Sequence, residues 1–289
     1  MKRVTKRYAA IVTERSSRRL LFSYLHRIMI KDFAASDRIT LRCSKIQGCT
    51  EVDARTLHLG PSIELLTFRR RSLPPGAELK LLGNGTPLSI ALKAMPSDTA
   101  WAYRTSGSIG ALRVQAGRPS NADDIVQQQF LMDIRKRLEL EGVPKSSAQA
   151  LTGAAGELID NIGQHAGPQG EALAAFDITQ GSFWLAVGDS GVGALATYSA
   201  MREVQSARQA LEVAVVEHRS STGDPARGLG FRRVLGALRS MDAALRVRSG
   251  DASLEIEGTG GSGNWMSREQ QHLRGFVVSA HVQWGALRP

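Results

Sequence analysis

The sequence predicts an α/β chain whose C-terminal part is an α+β two-layer sandwich. Three observations carry this. Helix-period apolar stripes and short apolar strands recur along the chain, and turn residues punctuate them at most junctions. Apolar residues make up 42% and charged residues 22%, which excludes a disordered chain. The length of 289 residues fits two domains, with an N-terminal arm ahead of them.

The arm, residues 1–34, is basic. Residues 1 to 31 carry nine Lys or Arg against Glu14 alone, so this segment supplies +8 of the net +10 and leaves +2 for the remainder. A basic face over the whole protein is therefore not expected, and nucleic acid is not an expected partner because no aromatic-interleaved basic stretch or reading motif accompanies the charge. Leu21, Tyr24, Leu25, Ile28 and Met29 recur at helical spacing, which predicts an amphipathic helix over 17–34 with a solvated basic flank. His26 lies on that helix and reads as structural. No run approaches eighteen uninterrupted apolar residues, so neither a membrane span nor a signal peptide is expected. Two cysteines, Cys43 and Cys49, cannot complete a four-ligand zinc site and fit a reduced, cytoplasmic chain.

Residues 35–110 read as a small α/β domain. The pattern gives a strand at Ile39–Ile46, a helix at Ile63–Arg71, the break Pro74-Pro75-Gly76, a strand at Glu78–Leu82, a Gly83-Asn84-Gly85 turn and a helix at Pro87–Met95. The stretch AELKLLGNGTPLSIALKAM resembles the second half of a STAS domain, the module of anti-sigma-factor antagonists. Where that family places an Asp-Ser phosphoacceptor this chain has Gly60-Pro61-Ser62, and Ser62 reads either as the acceptor or as a helix-capping serine.

Turn formers between residues 102 and 124, around one strand-like run at Ala111–Gln115, place the domain junction there. The C-terminal domain, 120–289, follows with helices at Ile125–Leu140 and Ser146–His165 and strands at Ala174–Ile178 and Phe183–Val187. Further helices are expected at Ala200–His218 and Leu229–Ser240, then strands at Ala244–Arg248, Leu254–Glu257 and Phe276–Trp284. The Gly-rich run 258–263 lacks the Lys of a Walker-type phosphate loop.

Three motifs in this half bear chemistry. In ELIDNIGQHA, Glu157 and Asn161 are four residues apart on one helix, which sets a carboxylate and an amide oxygen on one face. The carboxylate can polarise a nucleophile, and a neutral amide oxygen suits magnesium already held by phosphate oxygens. Asp189-Ser190-Gly191-Val192-Gly193 follows an apolar strand. Its acid can accept from an exocyclic amine, and Gly191 and Gly193 let backbone approach a flat base. Arg227-Gly228-Leu229-Gly230 opens a helix, whose free amides and partial positive charge make a phosphate seat.

In order and spacing these motifs resemble the GHKL superfamily, the Bergerat-fold ATPases that include histidine kinases, gyrase, heat-shock chaperones and anti-sigma serine kinases. The resemblance covers about residues 125 to 285 and implies a mixed sheet covered by helices, with ATP and magnesium as cofactors. It implies that Asn161 binds magnesium, Glu157 activates the nucleophile, Asp189 reads adenine with Gly191 and Gly193 shaping its pocket, and Arg227, Gly228, Leu229 and Gly230 meet the phosphates. Two features depart from the family: Gly275-Phe276 stands where many relatives have Gly-Thr, and no Lys lies between Gly193 and Gly228. The His165-Ala166 ending and the lack of a phosphoacceptor hairpin bring the chain nearest the anti-sigma-factor kinase type. The expected function is an ATP- and magnesium-binding regulatory protein, a Ser/Thr kinase acting on a STAS-type or sigma-factor regulator. The alternative is a nucleotide-dependent switch with little phosphotransfer, and a homodimer is compatible with either.

Overall fold

The computed structural model describes residues 33–284 apart from 46, 84, 96–100, 116–120, 166–170, 180, 220–228, 240 and 258–263. The basic arm through residue 32, with His26, lies outside the described residues. The protein is an α+β sandwich built on a six-stranded sheet, packed against helices.

The chain enters as helix α1 (33–45), where the sequence pattern had predicted a strand. Ile39 and Leu41 alternate as a strand would, yet the buried positions are Phe33, Ser36, Thr40 and Cys43, a helical stripe. The polar members tolerate burial because they bond locally. Ser36 Oγ donates to the Phe33 carbonyl at 2.9 Å and Thr40 Oγ1 to that of Asp37 at 3.0 Å.

β1 (Gly48–Asp53), α2 (Leu59–Arg71) and β2 (Ala77–Leu82) form a β-α-β unit whose two strands pair in parallel, Gly48 opposite Ala77 through Asp53 opposite Leu82. α2 starts at Leu59 in extended backbone from His58 and ends before the Pro74-Pro75 break. Ser62 therefore sits inside its first turns and does not cap it: the hydroxyl donates back to the His58 carbonyl at 2.9 Å and the residue is buried. α3 (Pro87–Lys93) is capped by Thr86, whose side chain accepts from the Ser89 N–H.

β3 (Ala102–Ser106) and β4 (Ile109–Gln115) form a hairpin that joins the larger sheet. Then come α4 (Asn121–Leu140), α5 (Lys145–His165), β5 (Glu171–Thr179), β6 (Ser182–Asp189), α6 (Gly193–Thr197) and α7 (Ala207–Leu211), which continues into a π-helical turn at Glu212–Val216. The single helix expected over Ala200–His218 is thus shorter and interrupted. α8 (Leu229–Arg239), β7 (Asp242–Glu257) and β8 (Asn264–Gln283) complete the chain. Sheet order is β3-β4-β5-β6-β8-β7, and every ladder is antiparallel, where the family resemblance implied a mixed sheet. β3 and β4 lie within the 102–124 stretch expected to be the domain junction, and through β4 they join the C-terminal sheet.

Both faces of this sheet are covered. On one, Leu112, Phe176, Leu185, Val187 and Leu245 pack with Phe130 of α4, Leu158 of α5 and Val234 of α8. On the other, Ala111, Leu173, Ala175, Trp184 and Ala186 pack with Phe33, Ile63 and Leu88 of the N-terminal helices. Strand alternation produces the division, each strand giving alternate residues to alternate faces.

A buried ion network fastens the second layer. Arg246 and Arg248, on β7, are 1% and 0% exposed. Arg246 bonds Asp37 of α1 at 2.6 Å, Glu64 of α2 at 3.2 Å and Glu255 at 2.7 Å, and its guanidinium lies 4.6 Å over the Phe33 ring. Arg248 pairs with Glu64 and donates to the Gln271 carbonyl at 2.6 Å. Burial opposes ionisation of Glu64, but the two guanidiniums outweigh it and hold its carboxyl below the ordinary range. Among the described residues, no helix is long and apolar enough to cross a membrane.

Candidate functional site

α5 buries Leu151, Ala154, Ala155, Leu158 and Ile159 against the sheet. This leaves Glu157 and Asn161, one turn apart, half-buried on a flank of the helix. Gln127 of α4 donates to Asp160 of α5 at 2.8 Å and ties the two helices together. Glu157 does not stand alone: Arg233 of α8 pairs with it, so the carboxylate expected to activate the nucleophile is bound across the α5–α8 junction.

β6 delivers Asp189 at its end, 4% exposed. Its Oδ1 accepts the Gly191 N–H at 2.8 Å, and the Phe276 N–H of β8 also donates to the carboxylate. Burial dominates these two donors and pushes the Asp189 carboxyl up to about 7. Among the described residues no cation pairs with this carboxyl, and a buried carboxyl gains from a further donor.

The turn after Asp189 is shaped by two glycines with positive φ. Gly193 has φ +79° and a Cβ there would lie 2.9 Å from Ser249 Oγ and 3.0 Å from the Gly275 carbonyl. Gly275 has φ +103° and its Cβ would fall 1.9 Å from the Asp189 carbonyl, so no other residue fits. Ser249 joins the two segments, accepting the Ala194 N–H at 2.9 Å and donating to the Gly275 carbonyl at 2.7 Å. The Ser190 N–H closes the loop on the Glu171 carbonyl at 3.1 Å.

α8 reaches this turn through its aromatic residue. The Phe231 ring packs edge-on against Phe276 with centroids 6.0 Å apart, and Phe276 is the residue whose N–H meets Asp189. A continuous chain of contacts therefore runs from Glu157 through Arg233 and Phe231 of α8 and Phe276 of β8 to Asp189. No family model matches the chain, and no curated protein matches it by sequence.

Of the residues singled out by sequence, Glu157, Asn161, Asp189, Gly191 and Gly193 lie on elements joined by this chain of contacts, and Leu229 and Gly230 open α8. Arg227 and Gly228 lie outside the described residues. The sequence reading missed Phe231, Arg233 and Ser249, which carry no motif. Gly275-Phe276 had stood out only as a departure from a family pattern, whereas both residues build the Asp189 turn.

Among the described residues, no group of three or more His, Cys, Asp or Glu side chains could hold a metal. The donors present are the Asn161 amide oxygen and the Glu157 carboxylate, the latter paired with Arg233. That set fits magnesium only as an ion taking one or two protein oxygens and drawing its other ligands from phosphate and water.

Proposed function

We propose that the chain is a nucleotide-binding regulatory protein of the GHKL type that takes ATP with magnesium. The observation that carries the reading is Asp189. It is a buried carboxyl with two backbone N–H donors and, among the described residues, no cationic partner, in a turn shaped by Gly193 and Gly275 and tied to the first residues of α8. An exocyclic amine of a purine would add the donor that this carboxyl lacks. The first amides of α8 would face phosphate, and Asn161 would hold the magnesium that bridges phosphate oxygens. The metal, when bound, supplies charge neutralisation at the phosphates. The chain's own residues bind the base, orient the phosphates and, at the Glu157 carboxylate, accept a proton from a nucleophile.

Within this reading, the enzyme form is a Ser/Thr kinase of the anti-sigma-factor type acting on a STAS-type or sigma-factor regulator. The Glu157–Arg233 pair favours the second form, a nucleotide-dependent switch with little turnover, because a base held by a guanidinium is not free to take a proton. Ser62 is no part of either form, since its hydroxyl is buried and committed to His58.

Incubation with γ-labelled ATP, magnesium and a cell extract separates the two. Label on protein supports the kinase. Bound but untransferred label supports the switch, and no retained nucleotide in any form refutes both. A melting temperature raised by ATP with magnesium, and raised less in Asp189→Asn, supports the site itself.

A further inference from the structure

We propose that α2 positions the Asp189 turn from the face of the sheet opposite α5 and α8, acting through Thr67 and Ser72. The inference rests on the nucleotide reading above for its consequence at the base, and it gives the second layer a part in the site.

α2 meets each segment that builds the turn. At Gly188, directly before Asp189, a Cβ would fall 2.5 Å from Thr67 Oγ1 and 3.3 Å from Ile63 Cγ2, so the helix lies on the bare backbone of β6. Thr67 is buried, and a shift of α2 at this point is felt by the strand end. Ser72, which follows the last residue of α2, accepts the Arg274 N–H at 2.8 Å. Arg274 precedes Gly275, whose backbone lies against the Asp189 carbonyl with no room for a side chain. Arg70 pairs with Glu171 at 3.4 Å, and the Glu171 carbonyl accepts the Ser190 N–H. The helix is anchored one turn earlier, where Glu64 pairs with Arg248, the residue before Ser249.

Glu64, Thr67 and Arg70 recur at three-residue spacing and share one face of α2, so a single helix face touches the surroundings of β5, β6 and β7, and Ser72 adds β8. The contacts are unequal. Glu171 is 57% exposed, and an ion pair this open contributes little, whereas Thr67 and Ser72 act on backbone within two residues of Asp189 and Gly275.

Burial dominates the Asp189 titration, so a turn that slips from its place admits water and lowers it. The charged groups that α2, β5, β7 and β8 bring to this end are Arg70 with Glu171, Glu64 with Arg248, and Arg274. Ser72→Ala and Thr67→Ala change none of these charges, and a moved midpoint reports the turn itself.

Carboxyl-carbon NMR of the full chain, labelled at aspartate and assigned through Asp189→Asn, follows that titration directly. The wild-type midpoint should lie at about 7 and fall by about one pH unit or more in Ser72→Ala and in Thr67→Ala. Ser72→Thr keeps the acceptor and should hold it. Thr86→Ala removes the cap of α3, which packs on β3 and β4, and should lower the melting temperature with the midpoint unmoved. Affinity for ATP with magnesium should fall about three- to tenfold in Ser72→Ala and in Thr67→Ala. A midpoint unmoved in both variants, or moved as far by Thr86→Ala, would show that α2 packs here without positioning the turn and overturn the proposal. A moved midpoint with unchanged ATP affinity would overturn it as well. Wild-type protein that binds no ATP would remove the nucleotide reading alone, and the titration would still decide whether α2 holds the turn.

Discussion

Asp189→Asn isolates the charge state of the candidate base-reading residue. The folded protein holds the Asp189 proton up to about 7, while an unfolded aspartate releases it near 3.8. As pH rises from about 4 to about 7 the unfolded state loses a proton that the folded state keeps, so stability falls over that window and levels off above it. The full cost is about 4 kcal/mol, from a shift of about three units at 1.36 kcal/mol each, with no discount for exposure because the residue is 4% exposed. Between pH 5 and pH 8 the share lost is about 2–3 kcal/mol. Asparagine has no proton to lose. It keeps one acceptor oxygen for two N–H groups, a pH-independent penalty of about 1 kcal/mol. Urea unfolding of wild type and variant at both pH values gives the double difference, in which every other titrating group cancels. The variant should gain about 2–3 kcal/mol on wild type between pH 5 and pH 8. A difference that does not change with pH would refute the claim that Asp189 is a buried, unpaired carboxyl.

Other expectations follow from the same geometry. Glu157→Ala should keep nucleotide binding but lose about 100- to 10,000-fold in phosphoryl turnover, measured by product release, as for a missing general base. Asn161→Ala should lose the increase in ATP affinity that magnesium confers, read by titration with and without the metal. Glu64→Ala should cost about 3–5 kcal/mol in urea unfolding because it takes from buried Arg248 its closest carboxylate and from buried Arg246 one of three. A cost below about 1 kcal/mol would contradict the network as the fastening between α2 and the sheet. Gly275→Ala should sharply reduce the yield of folded protein, or lower its melting temperature by more than about 10 °C, because its Cβ meets the Asp189 carbonyl in a backbone region that disfavours side chains.

The helices and strands of the C-terminal half were legible because their buried stripes are uniformly apolar. Leu151, Ala154, Ala155 and Leu158 fix α5, and Phe183, Leu185 and Val187 fix β6. α1 was misread as a strand because its buried stripe includes Ser36 and Thr40, whose hydroxyls satisfy themselves on local carbonyls, while exposed Leu41 imitates strand alternation. β7 looked like two strands because a register shift at Ser249–Ala252 breaks its period within one continuous ladder. The closeness of the two halves was invisible for a different reason. Arg246 and Arg248 belong to no motif, and only their pairing with Asp37, Glu64 and Glu255 shows that a second layer covers them. At the candidate site, residue type and spacing singled out Glu157, Asn161, Asp189 and the glycines, and the structure sets Glu157 and Asn161 on α5 and Asp189 at the end of β6. Arg233, Phe231 and Phe276 act through contacts between elements far apart in sequence, which no local pattern encodes.

Titration of the wild-type chain with ATP and with GTP, at pH 8 with magnesium, tests the central claim most directly. Adenine presents an amine donor where guanine presents a carbonyl acceptor, and an ionised Asp189 accepts only. ATP should therefore bind, with GTP at least about tenfold weaker, since a buried acceptor facing an acceptor forfeits more than one hydrogen bond. Equal affinity for ATP and GTP, or no binding of either, would contradict Asp189 as the residue that reads the base.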